Sequence, residues 1–258
     1  MRVSRAKQKL LAGEMVVGTH ISIPSPMVAE VCGLLGFDFI IIDLEHGLFN
    51  PETFVDIVRA AENAGATPIF RPIKNDPELM LPYLDNGAMG VWVAGISSAE
   101  DARQVVQAVK YAPLGSRGMT AERISMYRLG PSAKEIIQHV NDNTIVSLGI
   151  EGQQGIDNLD EICAVEGVDV VGIGINDLAA ALGHPGQVDH PSVQEAIARV
   201  VGKVRKAGKV AGIPSYDPAT ARKYYDLGVR YTWTIVNNLI ARGGKSYLEG
   251  IKAFSEKA

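Results

Sequence analysis

Three side chains that can exchange protons or bind cations follow one short apolar run. Phe39–Ile42 is unbroken and rich in β-branched residues, which is typical of a strand buried on both faces, and Asp43, Glu45 and His46 come directly after it. Asn50-Pro51 then supplies a helix N-cap and a first helical residue, so the three side chains are predicted to lie in a strand-to-helix loop. Such loops carry much of the chemistry of α/β proteins. The alternative is that the two carboxylates only favour the helix N-terminus and that His46 is a turn residue.

Two further carboxylates end later apolar runs and indicate a metal site. Glu151 follows the fifth predicted strand and Asp177 the sixth, so neighbouring strand ends could present both to one ion. Two carboxylates without cysteine leave several coordination positions for water and substrate oxygens, which suits Mg²⁺ or Mn²⁺ better than a closed zinc site. The alternative is that Asp177 caps the following helix and that Glu151 belongs to a glycine-flanked turn.

Arg71 and His46 complete a set of residues that could form an enolate and move its proton. Arg71 lies near the end of the third predicted strand, and its guanidinium could hold an oxyanion that develops on a substrate. The alternative for Arg71 is a structural ion pair with Asp43 or Glu45. Histidine exchanges protons near neutral pH, so His46 is predicted to be the general base, with Asp43 fixing its tautomer. The side chain of Glu45 is expected to point the opposite way from its neighbours at the strand end and to be dispensable for activity.

Eight apolar runs that alternate with helical patterns must position these residues. The predicted strands are Met15–His20, Phe39–Ile42, Thr67–Ile73, Met89–Val93, Thr144–Ile150, Val168–Gly174, Lys209–Ile213 and Tyr231–Ile235. Because no Ser/Gly-rich linker or change of composition interrupts the alternation, the sequence predicts an α/β protein, one (β/α)8 TIM barrel domain over residues 1–258. An N-terminal helix is expected before the barrel, with extra helices after strands four and eight. A doubly wound sheet fits less well, since the first strand lacks a Gly-rich fingerprint.

The barrel predicts where the polar side chains meet. The C-terminal ends of all its strands face one mouth, and active sites of such barrels lie there. The residues expected to converge at this mouth are His20, Asp43, Glu45, His46, Arg71, Glu151, Asn176 and Asp177.

Composition and charge restrict the class of partner. The chain of 258 residues is 47% hydrophobic, has a formal net charge of -4 and contains no Lys/Arg cluster, which argues against nucleic acid and anionic membranes as partners. Two cysteines far apart in sequence indicate neither a disulfide framework nor a thiolate metal site. No segment has the length of a membrane span or the form of a signal peptide. We therefore expect a cytoplasmic protein that acts on small molecules.

Several motifs together resemble those of the HpcH/HpaI aldolases, which are metal-dependent class II pyruvate aldolases such as 4-hydroxy-2-oxoheptanedioate aldolase and 2-keto-3-deoxy sugar-acid aldolases. The resemblance runs in matching order from about Ser25 to Trp233. The motifs are Asp43-Leu-Glu-His-Gly47, Arg71-Pro72, Leu84-Asp-Asn-Gly-Ala88, Gly115-Ser-Arg-Gly118, Glu151, Gly172-Ile-Gly-Ile-Asn-Asp-Leu178 and Leu182-Gly183.

The resemblance implies a (β/α)8 barrel with Mg²⁺, Mn²⁺ or a similar divalent ion such as Co²⁺ on Glu151 and Asp177, chelated by pyruvate. It implies that Arg71 stabilises the enolate and that His46 with Asp43 handles the proton. The backbone N–H groups around Gly174 and Asn176 would bind the pyruvate carboxylate. It also implies a homo-oligomer, a hexamer built as a trimer of dimers that exchange their final helices. Asp85, a further catalytic candidate, and the Arg117 loop would then lie near a subunit boundary.

The sequence departs from the family pattern around the substrate. The departures are at the end of strand four, which reads Val91-Trp-Val-Ala-Gly95, at Gly149, at Ile175-Asn176 and at His20. The first function predicted is divalent-metal-dependent cleavage of a 4-hydroxy-2-oxo acid to pyruvate and an aldehyde through a metal-bound enolate. The alternatives are decarboxylation of a 2-oxo diacid such as oxaloacetate by the same enolate chemistry, and a non-catalytic barrel that acts as a binding protein.

Overall fold

The eight predicted strands form a closed parallel barrel in chain order, as a computed structural model of residues 1–255 shows. Residues 256–258 of the expected domain lie outside the described residues. Every strand pairs in parallel with the next, and β8 closes on β1. The strands are β1 Val16–Ile21, β2 Phe39–Asp43, β3 Thr67–Arg71, β4 Gly90–Val93, β5 Ile145–Ile150, β6 Val170–Ile173, β7 Val210–Pro214 and β8 Tyr231–Ile235.

Helices connect the strands and cover the barrel. The helices are α1 Arg5–Leu11, α2 Pro26–Leu34, α3 Pro51–Asn63, α4 Pro77–Asp85, α5 Ala99–Val109, α6 Ala133–Asn143, α7 Gln153–Asp157, α8 Leu159–Cys163, α9 Ile175–Ala181, α10 Pro191–Lys206, α11 Pro218–Leu227 and α12 Val236–Ser255. A 3₁₀ helix, Arg123–Arg128, lies between α5 and α6. In residues 1–255, none of the helices has the length and apolar character needed to cross a membrane.

Local sequence signals account for the start of α3 and for the end of β3. The side chain of Asn50 accepts a hydrogen bond from the Thr53 N–H at 2.7 Å and thereby caps α3, whose first residue is Pro51. The third strand ends at Arg71 rather than at the predicted Ile73, because Pro72 follows and proline has no N–H for the next sheet hydrogen bond.

Aromatic side chains fill the barrel interior above α1. Ala6 and Leu10 of α1 belong to the same buried cluster as Phe39, Trp92 and other inward-facing strand residues. The N-terminal end of the barrel is therefore filled. The mouth at the C-terminal ends of the strands is where a ligand can enter.

Candidate active site

A cavity of about 360 Å³ lies at the C-terminal mouth of the barrel and gathers most of the predicted site residues. Seven of the eight residues expected to converge line it, and Glu45 is the exception. The lining residues are His20, Ser22, Asp43, His46, Arg71, Trp92, Glu151, Gly174, Ile175, Asn176, Asp177, Pro214, Tyr216, Trp233 and Ile235.

Asp43, the last residue of β2, shapes the loop that carries His46. Its Oδ1 accepts hydrogen bonds from the backbone N–H groups of Glu45 and His46, each at 3.2 Å. Its Oδ2 lies 3.8 Å from Nδ1 of His20. Asp43 therefore contacts the backbone of His46 and the imidazole of His20, which corrects the expectation that it orients the imidazole of His46.

Arg71 forms an ion pair with Glu45 through its Nε atom. The expectation that Glu45 points away from the site is therefore wrong, because the bend of the loop after β2 turns its carboxylate toward the end of β3. The structure thus contains one of the ion pairs that the alternative interpretation of Arg71 predicts. Arg71 also lines the cavity, and its positive charge lowers the pKa values of His20 and Glu151.

Glu151 and Asp177 form a carboxylate pair beside the start of α9. The pKa of Glu151 is raised, first by burial and then by the negative charges of Asp177 and Glu45, against the opposing charge of Arg71. The backbone at Gly174 approaches the Glu151 side chain so closely that an added Cβ would lie 2.6 Å from Cγ and from Oε1. A side chain at position 174 would displace the carboxylate, so this glycine is required for the arrangement.

This carboxylate pair fits a hard divalent cation. A positive ion would relieve the unfavourable burial and repulsion that raise the pKa of Glu151. Over residues 1–255, no three His, Cys, Asp or Glu side chains gather as a larger ligand set. Two carboxylates with open positions for water and substrate suit Mg²⁺ or Mn²⁺.

His20 contributes more to the cavity than its sequence position indicated. The residue is 7% exposed, and its ring stacks on Trp233, with 5.9 Å between ring centroids and 15° between the planes. Burial, with smaller effects of Arg71 and His46, lowers its pKa from 6.5 to about 4 against the attraction of Asp43. His20 is therefore a neutral imidazole at neutral pH. The sequence signals for it were its place at the end of a predicted strand and its departure from the family pattern.

Two departures from the family pattern, Trp92 at the end of strand four and Gly149, fit together in the barrel interior. Trp92 of β4 occupies the barrel interior beside two glycines on neighbouring strands. A Cβ at Gly172 would lie 2.3 Å from its indole, and a Cβ at Gly149 would lie 3.2 Å from it. The absence of side chains at positions 149 and 172 thus makes room for Trp92 at the floor of the cavity.

Tyr216 and Trp233 line the cavity but were not predicted as site residues. Tyr216 follows β7, and its pKa is raised by burial while a hydrogen bond from Asn176 lowers it. Neither aromatic residue belongs to a motif with its own chemical signature. Their contribution depends on the positions of β7 and β8 around the mouth, which single residues do not reveal.

Asp85 does not line this cavity within the described chain. It is the last residue of α4, a helix that runs from the mouth back toward the start of β4. Its Oδ1 accepts a hydrogen bond from Nη2 of Arg117 at 2.8 Å, and the Arg117 side chain is fully buried. The guanidinium also lies over the ring of Tyr111, at 4.9 Å from its centroid.

Comparisons with known proteins place the chain in one family. The family model of HpcH/HpaI aldolase/citrate lyase matches residues 17–229. The chain is 37% identical to a hydroxypyruvate/pyruvate aldolase of Pseudomonas aeruginosa, with 89% of this chain and 85% of that protein covered. It is 35% identical to a 5-keto-4-deoxy-D-glucarate aldolase of Shigella boydii, with 88% of each covered.

A solved structure agrees with this assignment. The crystal structure of an HpcH/HpaI aldolase from Desulfitobacterium hafniense superimposes with a TM-score of 0.89 at 31% identity, covering 95% of this chain and 96% of that one. The chain belongs to the HpcH/HpaI aldolase/citrate lyase family.

Proposed function

We propose that the protein is a divalent-metal-dependent aldolase that reversibly cleaves a 4-hydroxy-2-oxo acid to pyruvate and an aldehyde. The observation that carries the proposal is the cavity in which the carboxylate pair Glu151 and Asp177 faces the same space as Arg71 and His46. The relatives at 35–37% identity are named as aldolases, which supports this reaction class. The substrates are small molecules that the cavity of about 360 Å³ can hold.

Glu151 and Asp177 would hold the ion, Mg²⁺ or Mn²⁺ or a similar cation such as Co²⁺. When bound, the ion supplies positive charge that polarises a 2-oxo acid toward enolisation. The backbone N–H groups of Ile175 and Asn176, next to Gly174, bind the carboxylate of the 2-oxo acid, because the first N–H groups of α9 have no acceptor within the helix, whereas the N–H of Gly174 itself donates to the carbonyl of Ile150. Arg71, which its ion pair with Glu45 holds in place, donates hydrogen bonds to the substrate oxygen on which negative charge develops.

His46 moves the proton. Its imidazole is exposed on the rim of the cavity, where it can reach both substrate and solvent. Asp43 acts on it through the two backbone hydrogen bonds that hold the loop after β2, so Asp43 positions the loop rather than the ring.

The chain forms a homo-oligomer in this proposal, a hexamer built as a trimer of dimers. Helix α12 exposes Ile240, Tyr247, Leu248 and Ile251, at spacings that place them on one face. An exposed apolar face on a helix of this length supports packing against a neighbouring copy of the chain. Asp85, which lies outside the cavity of its own chain, would then contribute at a subunit boundary.

Condensation of pyruvate with glycolaldehyde tests the proposed reaction directly. Wild-type protein should form a 4-hydroxy-2-oxo acid with Mg²⁺ or Mn²⁺ and stop when a chelator is added. Asp177→Ala should abolish both divalent binding, followed by calorimetry, and product formation while the circular dichroism spectrum is unchanged. Asp157→Ala, at an exposed aspartate of α7 outside the cavity, is the matched control.

Two results would contradict the proposal. Normal turnover and metal affinity in Asp177→Ala would place the site elsewhere. Rapid decarboxylation of oxaloacetate without any aldol product would favour the alternative reaction at the same residues.

A further inference from the structure

His20 and Asp43 form a pair whose hydrogen-bonding capacity toward the cavity is not used by any residue in the described range 1–255. Nδ1 of His20 and Oδ2 of Asp43 are 3.8 Å apart, which is too far for a direct hydrogen bond. Both residues line the cavity. The other carboxylate oxygen of Asp43 is already occupied by the backbone N–H groups of Glu45 and His46. Oδ2 therefore remains as an acceptor that faces His20.

The surroundings of His20 determine which of its nitrogens carries the proton. Nε2 is buried and has no hydrogen-bond partner among the described residues. Nε2 therefore stays unpaired whether or not it carries the proton, and the surroundings of Nδ1 decide the tautomer. Nδ1 faces the carboxylate of Asp43, which attracts an N–H group and repels a nitrogen lone pair. The neutral ring thus presents an N–H donor at Nδ1, with the Asp43 acceptor beside it.

The ring cannot easily turn away from this arrangement. Its face stacks on Trp233, which in turn packs against Trp92 with 4.5 Å between ring centroids. The charged groups around the ring are Asp43, Arg71 and His46, and burial together with Arg71 and His46 keeps it neutral. A donor and an acceptor are consequently held side by side at the wall of the cavity.

A hydroxyl group is the ligand that satisfies both atoms at once. It can accept a hydrogen bond from Nδ1–H and donate its own proton to Oδ2, whereas a carbonyl or carboxylate oxygen only accepts and would meet the negative charge of Asp43. Pyruvate carries only acceptor oxygens, so it does not fit this pair.

We propose that His20 and Asp43 together bind a non-reacting hydroxyl group of the substrate, so that hydroxylated substrates are preferred over their deoxy analogues. This inference rests on the proposed aldolase function and specifies its substrate class. The hydroxyl can belong to the aldehyde, as in glycolaldehyde, or to the 2-oxo acid, as in hydroxypyruvate. His20 is then a specificity-determining residue that touches the substrate.

Matched substrate pairs separate the two sources of the hydroxyl. With pyruvate as one partner, kcat/KM is compared between glycolaldehyde and propanal, which have the same number of heavy atoms. With acetaldehyde as the other partner, it is compared between hydroxypyruvate and 2-oxobutanoate. The pair in which the wild type prefers the hydroxylated compound identifies the half of the substrate that is bound.

His20→Phe is the informative variant, because it keeps a ring against Trp233 and removes the donor. We expect the preference for the hydroxylated compound to fall by about three- to tenfold, the value of one neutral hydrogen bond. His20→Gln restores an N–H donor and should recover part of the preference even if the phenylalanine variant folds poorly. His139→Phe, on the opposite end of the barrel, is the control and should leave the ratio unchanged.

Exchange of the pyruvate methyl protons with D₂O distinguishes failure of the proposed aldolase function from failure of the proposed hydroxyl binding by His20 and Asp43. This exchange involves neither an aldehyde nor a hydroxyl group, so it reports enolisation separately from the preference for the hydroxylated compound. An unchanged preference in His20→Phe and His20→Gln, the absence of a preference in wild type, or an equal loss for both members of each pair would overturn the inference. Absence of exchange in the wild type would refute the proposed aldolase itself and the inference with it.

Discussion

Gly172→Ala should destabilise the protein because Trp92 occupies the space that a side chain would need. The added Cβ would lie 2.3 Å from Cη2 and 2.5 Å from Cζ3 of the indole, so the ring or the strand would have to move by roughly 1 Å. Trp92 is 2% exposed and packs against Trp233, so it has little room to move. Overpacking of this kind typically costs about 1–3 kcal/mol, and we expect the free energy of unfolding to fall by about 2 kcal/mol or more.

A double-mutant cycle in urea measures this coupling. Trp92→Leu alone should cost about 2–4 kcal/mol, because it leaves a cavity. In that background Gly172→Ala places a methyl group in vacated space and should cost nothing or stabilise, which gives a coupling energy of about 2 kcal/mol. Gly202→Ala, in α10 with no other atom within 4 Å of the added Cβ, is the control and should not destabilise. Equal costs of Gly172→Ala in both backgrounds would refute the reasoning.

Three other predictions concern the titratable residues in and beside the cavity. Arg71→Lys keeps the charge but loses the planar donor fork, so kcat for the aldol reaction should fall by roughly a hundredfold, and a wild-type kcat would exclude the oxyanion role. Glu45→Gln removes the partner of Arg71, and because this pair is partly exposed, kcat should fall by only about two- to fivefold, whereas the exposed Glu161→Gln should change nothing. Because the pKa of His20 is lowered from 6.5 to about 4 on folding, the unfolded chain takes up the proton first as the pH falls. Stability should therefore decrease between pH 6.5 and pH 4, by up to about 3 kcal/mol, and urea titrations should show a smaller decrease in His20→Phe.

Part of the site could be predicted because it depends on the ends of strands. Asp43 and Arg71 directly end β2 and β3 and are partners in the parallel register, so finding the two strands was enough to place both residues at the mouth. Glu151 directly follows β5, and Asp177 is the third residue of α9, the helix that begins after β6. Strand identity and chain order suffice for such residues, since every strand of the barrel points to the same mouth.

Other features depend on side-chain directions and on contacts between distant segments. Glu45 is turned toward Arg71 by the hydrogen bonds of its loop to Asp43, which the residue types alone did not reveal. The contact of Asp43 with His20 joins two strands whose relative height is set by the barrel register. The fit of Trp92 against Gly172 likewise requires the curvature of the closed sheet, which brings β4 and β6 together across the interior.

Proton NMR of pyruvate in D₂O measures enolisation at this site directly, because deuterium enters the methyl group without requiring the physiological aldehyde. With Mg²⁺ or Mn²⁺ the wild-type protein should exchange the methyl protons, and Glu151→Gln, which removes one carboxylate of the pair, should abolish exchange while the protein remains folded. Exchange at the wild-type rate in Glu151→Gln, or no exchange by the metal-loaded wild type, would contradict enolisation at this carboxylate pair.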